Sequence, residues 1–404
     1  MIKIAVISDI HFGKFSRTSE FSVPGEALLD ENRGAVSLKD GLVSILKKQQ
    51  VQYLFIAGDL TSIASPQEFC YCEKQILSIA EQCEIPISNI LCCLGNHDID
   101  QKITRICDEV IGEDTVKEVA EIIREKYNLI AANCATSNLE IIGKKYNNLG
   151  PVPFSSVYLS DQIIVFLLNS GWRCVHDQEY SHGKIEEAQL GWFKEQAITY
   201  REDSRIKILL MHHHPFKYSY PIPSPDISVL EEGSEIMDIV RDNGINIVIH
   251  GHRHHPIART IQLGSGTKPV TLICAGSLSV NSKHRNGGDI PNTFHILEID
   301  DKCNLYTLYN YEYSSVEGWK RLEYSNVIPM DYQMKLGKTF SNEEIEAAIL
   351  RMASRAGELI SWSNLEECLK YITYGELTNR VKAILSHDFK VVGSFPEDIV
   401  LLEK

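Results

Sequence analysis

Five short apolar runs recur along the longer, N-terminal part of the chain, and each is followed at once by a polar cluster. The runs are Ile2 to Ile7, Val51 to Ala57, Ile90 to Leu94, Ile206 to Met211 and Ile245 to His250. All are short, rich in β-branched residues and mostly bounded by Gly, Pro or Asp, the pattern of a buried strand. The clusters behind them are Asp9-Ile10-His11, Gly58-Asp59, Gly95-Asn96-His97-Asp98, His212-His213-His214-Pro215 and Gly251-His252-Arg253-His254. Open α/β sheets bind ligands just beyond the carboxyl ends of their strands, so five clusters so placed can converge on one site.

The positions between these runs fill in the architecture. Ala35 to Lys48 reads as an amphipathic helix. Ser65-Pro66-Gln67-Glu68 reads as a capping box opening a helix to about Gln82. Lys14 to Asn32 is polar and reads as a long loop beside the site, a lid or a surface excursion. Helical segments are expected at Ile103 to Val110 and Thr115 to Lys126, within an elaboration spanning 101–148. Val157 to Leu159 and Ile163 to Leu168 read as an antiparallel pair around Ser160-Asp161. Ile185 to Tyr200 reads as a helix presenting Leu190, Phe193 and Ala197 on one face. Val270 to Ala275, Asn292 to Ile299 and Asn304 to Tyr311 continue as β-structure.

The character changes after Tyr313. Residues 314–340 read as a linker, which would make 1–313 the main domain and 341–404 a C-terminal module. In that module Ser341-Asn342-Glu343-Glu344 and Ser363 to Glu366 are capping boxes, and Tyr374 to Leu385 is a third helix. Phe389 to Val392 and Ile399 to Leu402 are two strands across a Gly393-Ser394-Phe395-Pro396 turn. Three helices and a terminal hairpin trace a winged-helix-like outline, suited to oligomerisation or to a protein partner.

Composition narrows the function classes. The chain has 404 residues and a net charge of −14, which repels nucleic acid and anionic membranes in the absence of a basic patch. The longest apolar run, Ile163 to Leu168, is far too short to span a bilayer. The 11 cysteines are scattered without a C-x-x-C, so they read as buried thiols of a cytoplasmic protein, and no signal peptide is expected because a core strand begins at Ile2.

The possible ligands in the five clusters are Asp9, His11, Asp59, Asn96, His213 or a neighbour, His252 and His254. Imidazoles with a few carboxylates suit Zn²⁺, Mn²⁺ or Fe²⁺/Fe³⁺, not Ca²⁺ or Mg²⁺ alone. So many ligands exceed one first-row ion with open positions. They fit two ions about 3.5–4 Å apart, bridged by a carboxylate and a hydroxide and clamping a phosphoryl group. Lys14, Arg17 and Arg253 are the cations best placed in sequence to meet a phosphate.

The ordered set D-x-H, G-D, G-N-H-D, H-x-P and G-H-x-H resembles the calcineurin-like metallophosphoesterase superfamily over residues 1 to about 313. The resemblance implies a four-layer α/β/β/α sandwich. It implies Asp9, His11, Asp59 and His254 on one metal, and Asp59, Asn96, His213 and His252 on the other, with Asp59 bridging. His213 follows from the family's ligand standing two residues before Pro215, which leaves His212 and His214 for packing or substrate. It also implies His97 as leaving-group acid, oriented by Asp98. Ala57-Gly58-Asp59-Leu60-Thr61, Gln189-Leu190-Gly191-Trp192-Phe193 and Asn169-Ser170 are similar to the bacterial cyclic-nucleotide-phosphodiesterase-like group. The expected activity is therefore hydrolysis of a nucleotide-type or other small phosphodiester. The alternatives are a DNA nuclease using the C-terminal module, against which stand the acidic charge and only Arg380 and Lys382 in its third helix; a monoesterase or protein phosphatase; and a non-catalytic scaffold, against which stands a complete ligand set.

Overall fold

The computed structural model describes residues 1–28, 36–99, 148–152, 154–171, 176–177, 180–181, 183–216, 228–264, 266–281, 290–300, 305–325, 328, 330–338, 345–346, 359–360, 389–392 and 399–403. All five apolar runs become strands. β1 (Ile2–Ile7), β2 (Tyr53–Ala57) and β3 (Ile90–Cys93) lie parallel and adjacent in a first seven-stranded sheet. That sheet continues antiparallel from β1 into Asn292–Asp300 and Leu305–Ser314. A second seven-stranded sheet holds Ile163–Leu167, Ile206–Leu210, Ile247–His250 and Val270–Cys274 in parallel, with Ile257–Ile261 antiparallel at one edge. At the other edge Ser156–Leu159 pairs antiparallel with Ile163–Leu167, as the sequence pattern predicts.

Period-two alternation sorts the second sheet's side chains between two layers. Ile163, Val165, Leu167, Ile208, Leu210, Ile247 and Ile249 join one core with the first sheet. Ile164, Phe166, Leu209, Met211, Val248 and Leu272 face the opposite way, onto the helices Glu187–Thr199 and Gly233–Asp242. On the far side of the first sheet, α1 (Leu38–Gln49) and α2 (Pro66–Gln82) bury Leu42, Leu46, Phe69 and Ile76. The order of layers is therefore helix, sheet, sheet, helix, the expected sandwich. Ser65 and Glu68 form the capping box of α2 reciprocally, with Pro66 at its first turn. Gly233–Asp242 was not anticipated, although its apolar stripe of Ile236, Ile239 and Val240 is entirely buried.

Two expectations change. Residues 314–340 are more than a linker: Gly318–Arg321 and Gln333–Leu336 both hydrogen-bond to Leu305–Ser314 and extend the first sheet. The described part of 14–28 is fastened as a wall. Gly13 N donates to Phe21 O (2.9 Å), Arg17 N to Ser279 O (2.8 Å), and the Glu20 carboxylate accepts the Leu38 N–H at 2.8 Å, at the start of α1. The expected helices within 101–148, and those after 341, lie outside the described residues. Near the C-terminus Phe389–Val392 and Ile399–Glu403 pair antiparallel as expected, and Leu359–Ile360 adds a third strand. Among the described residues all cysteines are free thiols, and no helix is long and apolar enough to cross a membrane.

Candidate metal centre

The polar clusters meet where the carboxyl ends of the two sheets' strands come together. In each cluster the chain turns abruptly as its strand ends. Of the nine non-glycine residues with left-handed backbone among the described residues, five are Asp9, His11, Asp59, His252 and His254, with φ of 50°, 48°, 51°, 70° and 52°. Such backbone costs about 1–3 kcal/mol each and persists where surrounding structure enforces it, commonly at functional sites. Asp9 and His11 stand two residues apart, with Ile10 between them. They share the site; β1 has ended at Ile7, and the left-handed turns aim them. Glycine is needed beside them. Gly58 has φ +85°, and a Cβ there would lie 2.6 Å from His212 Nδ1; a Cβ on Gly95 would lie 2.2 Å from Asp59 Oδ1.

Asp9, His11, Asp59 and His254 form one group of donors, with ligand atoms all within 4.8 Å of one another. His11 Nε2 lies 3.1 Å from His254 Nε2 and 3.5 Å from Asp59 Oδ2, and His254 Nε2 lies 3.1 Å from Asp9 Oδ1. Burial, reinforced by the neighbouring His97, holds the His11 imidazole well below its usual pKa, so it is neutral. Four side chains able to donate an electron pair thus converge, and Asp9 Oδ1, fully buried among them, accepts no hydrogen bond. A cation relieves that arrangement, so these residues fit a metal ion.

A second group comprises His212, His213 and His252. His212 Nε2 is 3.3 Å from Asp59 Oδ2 and 3.1 Å from Asn96 Oδ1, and His252 Nδ1 is 3.0 Å from Asn96 Oδ1. His212 Nδ1 is 2.7 Å from the Ala57 carbonyl; a carbonyl only accepts, so Nδ1 carries the hydrogen and Nε2 faces the donors. The spacing to Pro215 favoured His213. The structure brings His213 into the group, with Nδ1 2.9 Å from Ser170 Oγ, but it is His212 that reaches Asp59 and Asn96. Gln189 holds that Ser170 loop by accepting the Asn169 N–H (2.8 Å) and donating to the Asn169 carbonyl (3.1 Å).

The charges follow from the same contacts. Burial opposes ionisation of Asp59, but His212 and His97 pull its carboxyl well below the usual range. Burial likewise opposes charge on His212, and Asp59 overcomes it, raising the imidazole to about 9. Burial, with His213 second, holds His252 well below its usual value.

The remaining expected residues separate. His97 joins the site: its ring centroid lies 4.6 Å from that of His11, and its backbone N–H donates to Asp59 Oδ1 at 2.8 Å. Asp98 was expected to orient the His97 ring. Its carboxylate is instead filled by the N–H groups of Gly95 (2.9 Å), Leu60 (3.1 Å) and Thr61 (2.9 Å), so it binds two site loops together. Burial, then the charge of Asp59, pushes Asp98 up to about 7. The atom paired with His97 Nδ1 is the Ser62 carbonyl, at 3.0 Å. Sequence reading had no means to find a backbone acceptor. Among the cations, Arg17 lies over the Tyr313 ring (4.7 Å) and donates to Asn292 Oδ1 (2.6 Å). Arg253 is buried, with Nη1 3.5 Å from Ser228 Oγ. Lys14 stands over Phe15 (4.8 Å), whose ring in turn meets the edges of His11 and His97.

Comparison with known proteins comes to the same place. The family model described as calcineurin-like phosphoesterase matches residues 2–256, more than half the chain. No curated protein matches the chain significantly. A dimetal phosphatase from Danio rerio is 12% identical with a TM-score of 0.44, covering 84% of this chain and 99% of that one. A purple acid phosphatase from yellow lupin seeds is 11% identical with a TM-score of 0.48, covering 80% and 52%. The NAD nucleotidase of Haemophilus influenzae is 10% identical with a TM-score of 0.38, covering 96% and 60%. Likenesses this distant carry no argument about activity.

Proposed function

The chain belongs to the calcineurin-like phosphoesterase family, and on that premise we propose that it is a dinuclear-metal-dependent phosphodiesterase acting on a nucleotide-type or other small phosphodiester. The observation that carries this reading is the position of Asp59. Its Oδ2 is 3.5 Å from His11 Nε2 and 3.3 Å from His212 Nε2, so one carboxylate joins both donor groups.

In this reading Asp9, His11, Asp59 and His254 hold one ion. Asp59, Asn96, His212 and His252 hold the other, with His213 beside them. Two bound ions would supply Lewis-acid activation of the phosphoryl group and of water. The chain's own residues do the rest. Burial keeps His11 and His252 neutral, the form in which imidazole donates to a metal. The Asp59 carboxylate stays ionised. His97 delivers a proton to the leaving oxygen.

The test is hydrolysis of bis-p-nitrophenyl phosphate against p-nitrophenyl phosphate by Mn²⁺-loaded protein, with Asp59→Ala as control. Diester turnover that vanishes in Asp59→Ala is expected. Preference for the monoester would overturn the diesterase assignment and leave a phosphomonoesterase. Metal-loaded protein inert on both esters would count against catalysis.

A further inference from the structure

The loop behind Asp59 carries a second residue whose bonds all lead into the site. We propose that Ser62 is a positioning residue: it fixes the ring of His97 as leaving-group acid and ties that ring to the loop holding His11. The proposal deepens the phosphodiesterase reading and rests on it.

Ser62 is 1% exposed. His97 Nδ1 is 3.0 Å from the Ser62 carbonyl. A carbonyl has no hydrogen to give, so Nδ1 carries a hydrogen and Nε2 is the nitrogen turned to the substrate; as leaving-group acid the ring carries a second proton, on Nε2, and returns to the Nδ1–H form on giving it up. The hydroxyl of the same residue works in the other direction. Ser62 Oγ donates to the His11 carbonyl at 2.8 Å and accepts the Phe15 N–H at 3.1 Å, while Ser62 N donates to the Phe12 carbonyl at 2.9 Å. Phe15, held by that bond, sets its ring against the His97 ring at 5.8 Å and 89°. His97 is thus held at Nδ1 by the Ser62 carbonyl and across its ring by a residue anchored to the Ser62 hydroxyl.

The peptide that offers the carbonyl is itself braced. Glu68, in the capping box of α2, accepts the N–H of Ile63 at 3.0 Å and of Ser65 at 3.3 Å. Thr61 Oγ1 donates to the His97 carbonyl at 3.0 Å. Removing the Ser62 hydroxyl leaves the carbonyl in place but releases the loop from His11 and Phe15. The ring is then free to wander, and small misplacements of a reacting group are costly.

The experiment uses the full chain loaded with Mn²⁺, as wild type, Ser62→Ala, Ser62→Thr and His97→Ala, on bis-p-nitrophenyl phosphate and diphenyl phosphate. Nitrophenolate departs with little protonation, whereas phenolate depends on an acid. Ser62→Ala is expected to lower kcat on diphenyl phosphate about tenfold more than on bis-p-nitrophenyl phosphate, with Mn²⁺ content unchanged. His97→Ala shows the same bias, and Ser62→Thr, which keeps the hydroxyl, restores the wild-type ratio. Equal losses on the two esters, or loss of metal in Ser62→Ala, would overturn the proposal.

A second readout needs no turnover. Side-chain ¹⁵N shifts of the His97 ring in Zn²⁺-loaded wild type, identified by their absence in His97→Ala and read at a pH where the ring has given up its acidic proton, are expected to show the Nδ1–H tautomer, and a mixture in Ser62→Ala. The Nε2–H tautomer in the wild type would sink the proposal. If the wild type hydrolyses neither diester, the phosphodiesterase reading falls, and the tautomer still decides the role of Ser62.

Discussion

Replacing His212 by glutamine removes an imidazole clamped between the Ala57 carbonyl (2.7 Å) and Asp59 Oδ2 (3.3 Å). In the metal-free protein that imidazole is charged at neutral pH. Burial alone would discharge it, but Asp59 raises its pKa from 6.5 to about 9. A raised histidine stabilises the fold fully below the unfolded value of 6.5, and the contribution is lost as pH rises through about 9. At about 1.4 kcal/mol per pH unit, the shift is worth about 3 kcal/mol. Urea unfolding of chelator-treated wild type, His212→Gln and His213→Gln, at about pH 6 and about pH 10, measures it. The wild type should lose about 3 kcal/mol more than His212→Gln across that window, and His213→Gln should follow the wild type. Mn²⁺ titration of the same proteins completes the test: His212→Gln should lose the second ion and His213→Gln should keep both. Equal pH slopes in wild type and His212→Gln would refute the charge argument. Loss of an ion in His213→Gln but not in His212→Gln would return the ligand role to His213.

Two other outcomes are expected. Burial pushes Glu68 from 4.5 up to about 7, so between those values the folded chain keeps a proton that the unfolded chain has released. Stability should fall as pH rises through that window, by up to about 3 kcal/mol. Glu68→Gln retains an acceptor for Ile63 and Ser65 and should flatten the fall; unfolding curves with the same slope for both proteins would contradict this. A chain ending at Lys338 should keep the wild-type Mn²⁺ content. One ending at Tyr313 should melt earlier, because it lacks two strands of the first sheet and the Trp319 Nε1 donor to the Leu38 carbonyl (2.7 Å). Equal Tm values would show those strands to be dispensable.

Much of this protein is written locally. The β-branched runs become the parallel strands because a short apolar stretch between turn residues has few other ways to bury itself. The α2 capping box is read from four consecutive residues and is formed by those residues. Asp9, His11, Asp59, Asn96, His252 and His254 could be singled out as candidates because each follows a strand end, where an open sheet presents its loops, and Asp9, His11, Asp59 and His254 do come together there.

The rest depends on how the two sheets abut. Three consecutive histidines follow Ile206–Leu210, and nothing in their order says which one meets Asp59. His212 does so because its Nδ1 finds the Ala57 carbonyl on the other sheet, 155 positions away in the chain. The sequence neighbour of His97 suggested that Asp98 would hold it, yet Asp98 is consumed by backbone N–H groups of Gly95, Leu60 and Thr61. Arg17, a plausible phosphate partner by position, is drawn onto Tyr313 and Asn292. Periodicity and turn chemistry report which side chains are buried and where strands stop. They do not report which buried polar atom finds which partner, since that is settled by packing between segments far apart in the chain. The sequence alone therefore determined the layers and where the candidate donors stand at the strand ends, and the tertiary structure decided that His212 meets Asp59 and that the Ser62 carbonyl meets His97.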